Sequence, residues 1–211
     1  MKNPDDYHGI APFYVRVLDP FLEQIRKDIS CFLLDLDVRT AVDLGCGTGR
    51  QCMVLDEHGI LAAGVDRSPA MLEKARNRNR GSIEYLLEDL TRTSFNNGSF
   101  DASVISLALH ENDLYTQNRI IMEACRITRP GGYLAFLDHG AIQSPAARVI
   151  HYLACIPERL AGKKHFKNYL LFMKNKGLQG LLANRPGMRT VREKGYLSGA
   201  VWLSIQKNRD T

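Results

Sequence analysis

The sequence predicts an α/β chain: a doubly wound, mostly parallel sheet with helices on both faces and an antiparallel hairpin at its C-terminal end. Three observations carry this expectation. Strand-like and helix-like runs alternate from residue 40 onward, as βαβ units do. Residues 100–107 (FDASVISL) are almost entirely apolar, which suits a central strand covered on both faces. Two strand-like runs, 188–194 and 200–206, are joined only by the short stretch 195–199, too short for a parallel crossover.

Taken in order, residues 15–34 (VRVLDPFLEQIRKDISCFLL) carry apolar residues at helical spacing with Pro20 inside, so a leading helix or kinked pair is expected. Residues 40–44 form a strand, 50–58 a helix closed by Gly59, and 61–66 a second strand. Ser68-Pro69 supplies an N-cap and a first-turn proline for a helix ending at residue 79. Strands follow at 83–87 and 100–107. A helix over 114–128 is stopped by Pro130-Gly131-Gly132 before a strand at 133–138. Residues 145–160 and 166–183 have helical spacing, limited by Pro157, Gly177 and Gly180. No repeat, low-complexity tract or linker interrupts the chain, so one domain is expected over 1–211. Its parts are an N-terminal helical lid segment (1–36), a cofactor-binding core (37–140), a helical substrate-side insertion (141–185) and the terminal hairpin (186–211).

Composition narrows the class. Of 211 residues, 45% are apolar and 24% charged, an ordinary globular balance. No apolar run approaches the roughly 20 residues that span a bilayer, and the opening MKNPDDYHG is polar and acidic, unlike a signal peptide. A cytoplasmic protein is expected. The five cysteines lack C-x-x-C spacing, which favours reduced thiols over a disulfide framework or a zinc site, and no metal is expected. The formal charge of +5 is concentrated between Glu158 and Lys194, where ten basic residues face only two acidic ones. That segment suits an anionic ligand or a membrane surface.

The stretch AVDLGCGTGR, residues 41–50, places glycines at Gly45-x-Gly47-x-Gly49 between a strand and a helix. Such a loop lets a ligand approach the backbone and aims helix N–H groups at an anion. A dinucleotide fingerprint would want a small residue three after Gly47, where Arg50 stands. Asp66, at the end of the second strand, is placed to take ribose hydroxyls. After the third strand, Asp89 could accept from an exocyclic amine with Leu90 against a base, or simply turn the loop.

These stretches, with GVDRSPAMLEKAR, EDLTRTSFNNGSFDASVISLALHE and EACRITRPGGYLAFLDH, resemble the ordered motifs of class I S-adenosylmethionine-dependent methyltransferases. Within that family they look most like the ubiquinone and menaquinone C-methyltransferase branch. The resemblance implies a Rossmann-like sheet and a reversed last strand, matching the hairpin. It implies S-adenosyl-L-methionine as cofactor and S-adenosyl-L-homocysteine as product. By it, Asp43, Gly45, Cys46, Gly47 and Gly49 would hold the methionine end, Asp66 the ribose, and Asp89 with Leu90 the adenine. Arg67, Met71 and Leu107 complete the expected cofactor shell. The sequence departs from the family where an acidic-Leu-Pro-Phe run is frequent, having Thr91-Arg92-Thr93-Ser94-Phe95 instead.

Methyl transfer from a sulfonium is an in-line displacement governed by proximity and orientation, with a base needed only when the nucleophile must lose a proton. His110 and Glu111, beyond the fourth strand, and His139, beyond the fifth, are the candidate catalytic groups, because ligands of open α/β sheets sit outside the carboxyl ends of the strands. An H-E-x-x-H zinc motif fails, since position 114 is leucine. Nucleic acid is a disfavoured substrate: Ser106-Leu107-Ala108-Leu109 lacks the prolines of base amino-methyltransferases, and no Pro-Cys nucleophile occurs. A small, hydrophobic or anionic acceptor is expected, covered by residues 7–14 and 141–183. An RNA methyltransferase, a non-catalytic cofactor-binding module and an NAD-dependent oxidoreductase are the alternatives.

Overall fold

The computed structural model describes residues 11–79, 83–183 and 185–209, with backbone alone over 11–21. The elements run α1 (Ala11–Leu34), β1 (Thr40–Leu44), α2 (Arg50–Glu57), β2 (Leu61–Asp66), α3 (Pro69–Arg78), β3 (Glu84–Leu87), β4 (Phe100–Ser106), α4 (Leu114–Ile127) and β5 (Thr128–His139). They continue as α5 (Pro145–Leu160), α6 (Lys163–Lys174), α7 (Gly177–Leu182), β6 (Met188–Tyr196) and β7 (Val201–Asn208). The seven strands form one sheet in the order β3-β2-β1-β4-β5-β7-β6. β1 to β5 pair in parallel, whereas β7 inserts between β5 and β6 and runs against both. The expected hairpin is therefore present, with its second strand next to β5.

Period-two alternation decides which helices cover which face. On β5, Ala135 and Leu137 join Ile25, Ile29 and Leu33 of α1, while Leu134 and Phe136 join Ile120, Ile121 and Ala124 of α4 with Phe172 of α6. A third cluster packs Cys46 and Cys52 with Leu72 and Ala75 of α3 beside Tyr85. At the end of the sheet away from the site, Asp101 accepts from the N–H groups of Arg39 (2.9 Å) and Thr40 (3.0 Å) and from Arg129 Nε (2.6 Å). One carboxylate thus fastens the starts of β1, β4 and β5.

Two local expectations are corrected, and one open alternative is decided. Pro130-Gly131-Gly132 lies inside β5 instead of before it. The register shifts between Phe100 and Ala102, and Gly131 has φ 73°, so the chain passes through a bulge that tolerates proline. The helix expected over 166–183 is two helices. Lys176 and Gly177 turn left-handed between them, where Gly177 lies so close to the His139 carbonyl that a side chain would collide. α1 continues through position 20 as one helix. Residues 7–10 of the expected lid lie outside the described residues.

The basic tail is less free than its composition implies. Arg192 pairs with Asp35 at 3.2 Å and Lys194 with Asp28 at 2.5 Å, and both cations sit over the Phe32 ring. These contacts tie the outer strand β6 to α1.

Candidate functional site

The glycine loop takes its shape from three left-handed residues, Gly45 (φ 87°), Gly47 (φ 52°) and Gly49 (φ 75°), which explains glycine at every second position. Val65 O accepts from the N–H groups of Gly45 (2.8 Å) and Cys46 (3.0 Å), clamping the loop to β2. Asp66 Oδ2 accepts from Gly47 N and Oδ1 from Ser68 N, each at 2.8 Å, so one carboxylate fixes both the loop and the N-terminus of α3. Arg50, the residue that breaks the dinucleotide spacing, turns outward and forms ion pairs with Glu23 of α1 and with Glu57 at 3.0 Å.

Beside this loop a cavity of about 780 Å³ opens at the carboxyl ends of β1, β2 and β4. Gly45, Gly47, Asp66, Arg67, Met71, Asp89, Leu90, Leu107 and Glu111 of the expected set line it. Its wall holds four carboxylates (Asp66, Glu88, Asp89, Glu111) against two guanidinium groups (Arg67, Arg119), an acidic balance suited to a cation. Leu107 has φ 53°, an uncommon conformation for a leucine, and it turns the chain from β4 into the cavity wall. Asp89 also accepts from Thr91 N at 2.8 Å, so it shapes its own loop while facing the cavity.

Asp43, Cys46 and Gly49 do not line the cavity: Asp43 lies behind the loop, and Cys46 and Gly49 are loop residues packed on its far side. Asp43 is 2% exposed, and its Oδ1 is buried without a hydrogen-bond partner. Burial, reinforced by the charge of Asp66, pushes its carboxyl up to about 7. Cys52 Sγ faces Asp43 Oδ2 at 3.8 Å, and Gly49 leaves room for the Tyr85 ring. A buried carboxyl one layer behind the cavity, with one oxygen lacking a partner, fits a ligand with positive charge, as the sulfonium and ammonium of the expected cofactor have.

The departure at Thr91–Phe95 has a structural counterpart. Glu123 of α4 accepts from Thr93 N and Oγ1 at 2.6 Å each, and Arg126 donates to the carbonyls of Phe95 and Thr93. Although burial pushes it up, Glu123 is held at about 2 by these hydrogen bonds and by Arg126. Side chains from α4 therefore hold a loop that lacks the usual proline.

Of the three candidate catalytic residues, only Glu111 reaches the cavity; Arg67 Nη2 stands 3.9 Å from its Oε2. His110 and His139 lie behind it, 3% and 8% exposed, in a cluster that the sequence does not announce. Asp138 Oδ1 meets His110 Nδ1 at 2.7 Å, and Asp138 also accepts from the N–H groups of Leu109, His110 and His139. Glu158 of α5 faces His110 Nε2 at 3.5 Å and His139 Nε2 at 3.6 Å, and contacts His165 of α6. Burial alone would lower the His110 imidazole, yet the Asp138 and Glu158 carboxylates hold it well above its usual value.

Sequence inspection missed Asn112, Tyr115, Thr116 and Arg119 in the cavity wall, and Glu158 and His165 in the cluster. The first group sits on the loop and opening turns of α4 directly after Glu111, so proximity in the chain was an available signal. The second offered none, since no spacing links 110, 139, 158 and 165. The insertion expected to cover the acceptor contributes no residue to this cavity wall.

Residues 42–136 match the family model described as a methyltransferase domain. A demethylmenaquinone methyltransferase of Paenarthrobacter aurescens is 30% identical over 65% of this chain and 56% of its own length. One from Leptospira interrogans is 28% identical over 79% of this chain and 74% of its own. The chain thus spans little more than half of the first of these relatives. Among solved structures, a Pyrococcus horikoshii protein superposes with a TM-score of 0.64 at 17% identity, covering 97% of this chain and 94% of its own, which establishes the shared fold. With the glycine loop, the acidic cavity and the reversed β7, these matches make residues 42–136 similar to the S-adenosyl-L-methionine-dependent methyltransferases, the menaquinone branch among them.

Proposed function

We propose that the chain methylates a small, largely apolar acceptor with an ionisable hydroxyl or acidic carbon, such as the reduced form of the demethylmenaquinone that the relatives' names specify. The observation that carries this is the acidic cavity at the strand ends, with Asp66 at one wall and Glu111 at another. When bound, the cofactor supplies an electrophilic methyl group on a sulfonium and leaves as S-adenosyl-L-homocysteine. In this proposal Asp66 takes the ribose hydroxyls with the lone pairs that its two backbone N–H bonds leave open. Asp89 and Leu90 meet the adenine, and Gly45 and Gly47 let the methionine end approach. Arg67, Met71 and Leu107 pack around it, while Asp43 supports the loop from behind and Cys46 and Gly49 shape it. Glu111 accepts the acceptor's proton as the new bond to carbon forms, and His110 and His139 act as positioning residues behind it.

α5 supports a finer statement about the acceptor's source. Val149, Tyr152, Leu153, Ile156 and Leu160 are 57% to 75% exposed, with Arg148, Arg159 and Lys163 exposed around them. An outward apolar stripe with a cationic margin suits peripheral contact with an anionic membrane surface, from which a lipophilic acceptor is drawn. No helix among the described residues is long and apolar enough to cross a membrane. A cytoplasmic location completes the proposal, supported by an odd number of cysteines without C-x-x-C spacing.

The test is calorimetry with S-adenosyl-L-methionine, S-adenosyl-L-homocysteine and NAD, then a labelled-methyl assay with a demethylated quinol. Binding of both methionine-derived ligands, with transfer to the quinol, is expected. Binding of NAD alone would refute the cofactor reading; transfer to RNA but not to quinols would refute the acceptor.

A further inference from the structure

Four of the chain's six histidines converge where β4, β5, α5 and α6 meet. His110, His139 and His165 surround the Glu158 carboxylate, and His151 joins through the Tyr169 hydroxyl at 2.7 Å. We propose that His110, His139 and Glu158, with His165 beside them, form a binding site for one divalent first-row transition ion, zinc by its donor set, that fastens α5 and α6 to the ends of β4 and β5.

Two of the donor-atom spacings already stand near ligand spacing, and the ligand atoms of His110, His139 and Glu158 all lie within 4.8 Å of one another. Bonds of about 2.0–2.1 Å in a tetrahedral site put neighbouring ligand atoms about 3.3 Å apart. The Glu158 oxygens lie 3.5 Å from His110 Nε2 and 3.6 Å from His139 Nε2. Small side-chain movements would close around an ion without moving an element.

The surroundings prepare the ligands. Histidine ligands characteristically donate their other ring N–H to a carboxylate, which fixes the tautomer and strengthens the ligand nitrogen. Asp138 stands in that relation to His110 Nδ1 at 2.7 Å, fully buried and held by three backbone N–H groups. His139 Nε2 points into the same space, buried and without a hydrogen-bond partner. The cluster thus leaves unmet a donor set that an ion would satisfy.

Charge points the same way. Asp138 and Glu158 are buried carboxylates whose ion-pair partners among the described residues are histidines alone. Two such charges call for compensation within the cluster. One divalent ion with neutral imidazoles balances them. Imidazole with carboxylate suits zinc and its neighbours in the first row better than magnesium or calcium.

The experiment uses the full chain, stripped with a chelator and titrated with zinc and with cobalt(II). One ion per chain is expected, with cobalt giving the intense visible absorption of a tetrahedral site, zinc displacing it, and the melting temperature rising. Asp138→Asn should weaken zinc binding 10- to 100-fold, and His139→Ala should abolish the cobalt spectrum. S-adenosyl-L-homocysteine binding, measured on each variant, checks that it is folded; if one is not, His165→Ala replaces it. No stoichiometric zinc, or cobalt keeping the spectrum of its aqueous ion, overturns the proposal. Unchanged zinc affinity in a folded His139→Ala protein does the same, because the ion would then lie elsewhere.

Discussion

On the β1–β2 side of the strand ends, the cofactor loop comes from residues 43 to 68, one strand–loop–helix–strand unit, and most of its hydrogen bonds involve backbone groups. On the β4–β5 side, the histidine cluster takes residues 110, 138, 139, 158 and 165 from two strand ends and two later helices, and side chains make its contacts. The first region is encoded by adjacent residues and backbone conformation. The second exists only once α5 and α6 have packed, and Glu111 stands between them, on the cavity wall of one and next in sequence to the histidine of the other. A backbone-built site can be written in a short motif, whereas a side-chain-built one can be scattered along the chain.

Breaking the boundary residue has the largest expected effect. Glu111→Gln should lower methyl transfer by about 10²- to 10³-fold, in the range for loss of general base catalysis. Calorimetric affinity for S-adenosyl-L-homocysteine should stay nearly constant; a parallel loss of affinity would move Glu111 to the cofactor side.

Next comes the loop itself. Asp66→Ala removes the acceptor of two backbone N–H groups as well as the proposed ribose contact, each charge-assisted bond being worth about 1.5–3 kcal/mol. S-adenosyl-L-homocysteine binding should weaken by about 100-fold, and calorimetry showing unchanged binding would remove Asp66 from the ribose.

Asp43 gives a pH signature peculiar to the loop side. Its folded pKa of about 7 lies above the unfolded value of 3.8, so the folded state holds the extra proton. Stability should therefore fall as pH rises from 4 to 7 and level off above, by an amount that Asp43→Asn removes in urea titrations. A bound cation favours the ionised form, so cofactor binding near pH 7 should release a fraction of a proton. Calorimetry in buffers of different ionisation heat measures it, and no buffer dependence would mean that Asp43 does not sense the ligand.

The smallest effect should come from Arg50→Ala. Its pairs with Glu23 and Glu57 are partly exposed, so a loss of about 1 kcal/mol in urea denaturation is expected, with cofactor affinity little changed.

The alternation of elements, the reversed C-terminal strand and the cofactor loop were legible in the sequence because each rests on local physics. Two-residue periodicity marks a strand face, and the left-handed conformations of Gly45, Gly47 and Gly49 demand the residue without a Cβ. Arg50 weighed against a dinucleotide from sequence alone, but only packing revealed that it serves to join α1 and α2. α5 was the least legible element, because apolar spacing alone does not say which face of a helix turns inward. It turns His151 and Glu158 inward and leaves Val149, Tyr152, Leu153, Ile156 and Leu160 outside. Periodicity states that a helix has two faces; which face is buried depends on what waits beneath it. Here His110, Asp138 and His139 wait beneath it, brought together by strand ends 28 residues apart in sequence. The sequence by itself determined the strand order's parallel logic and the backbone of the cofactor loop. Tertiary structure alone decided where a carboxylate from residue 158 would land, because long-range packing is set by the sum of many contacts and no single stretch of chain contains it.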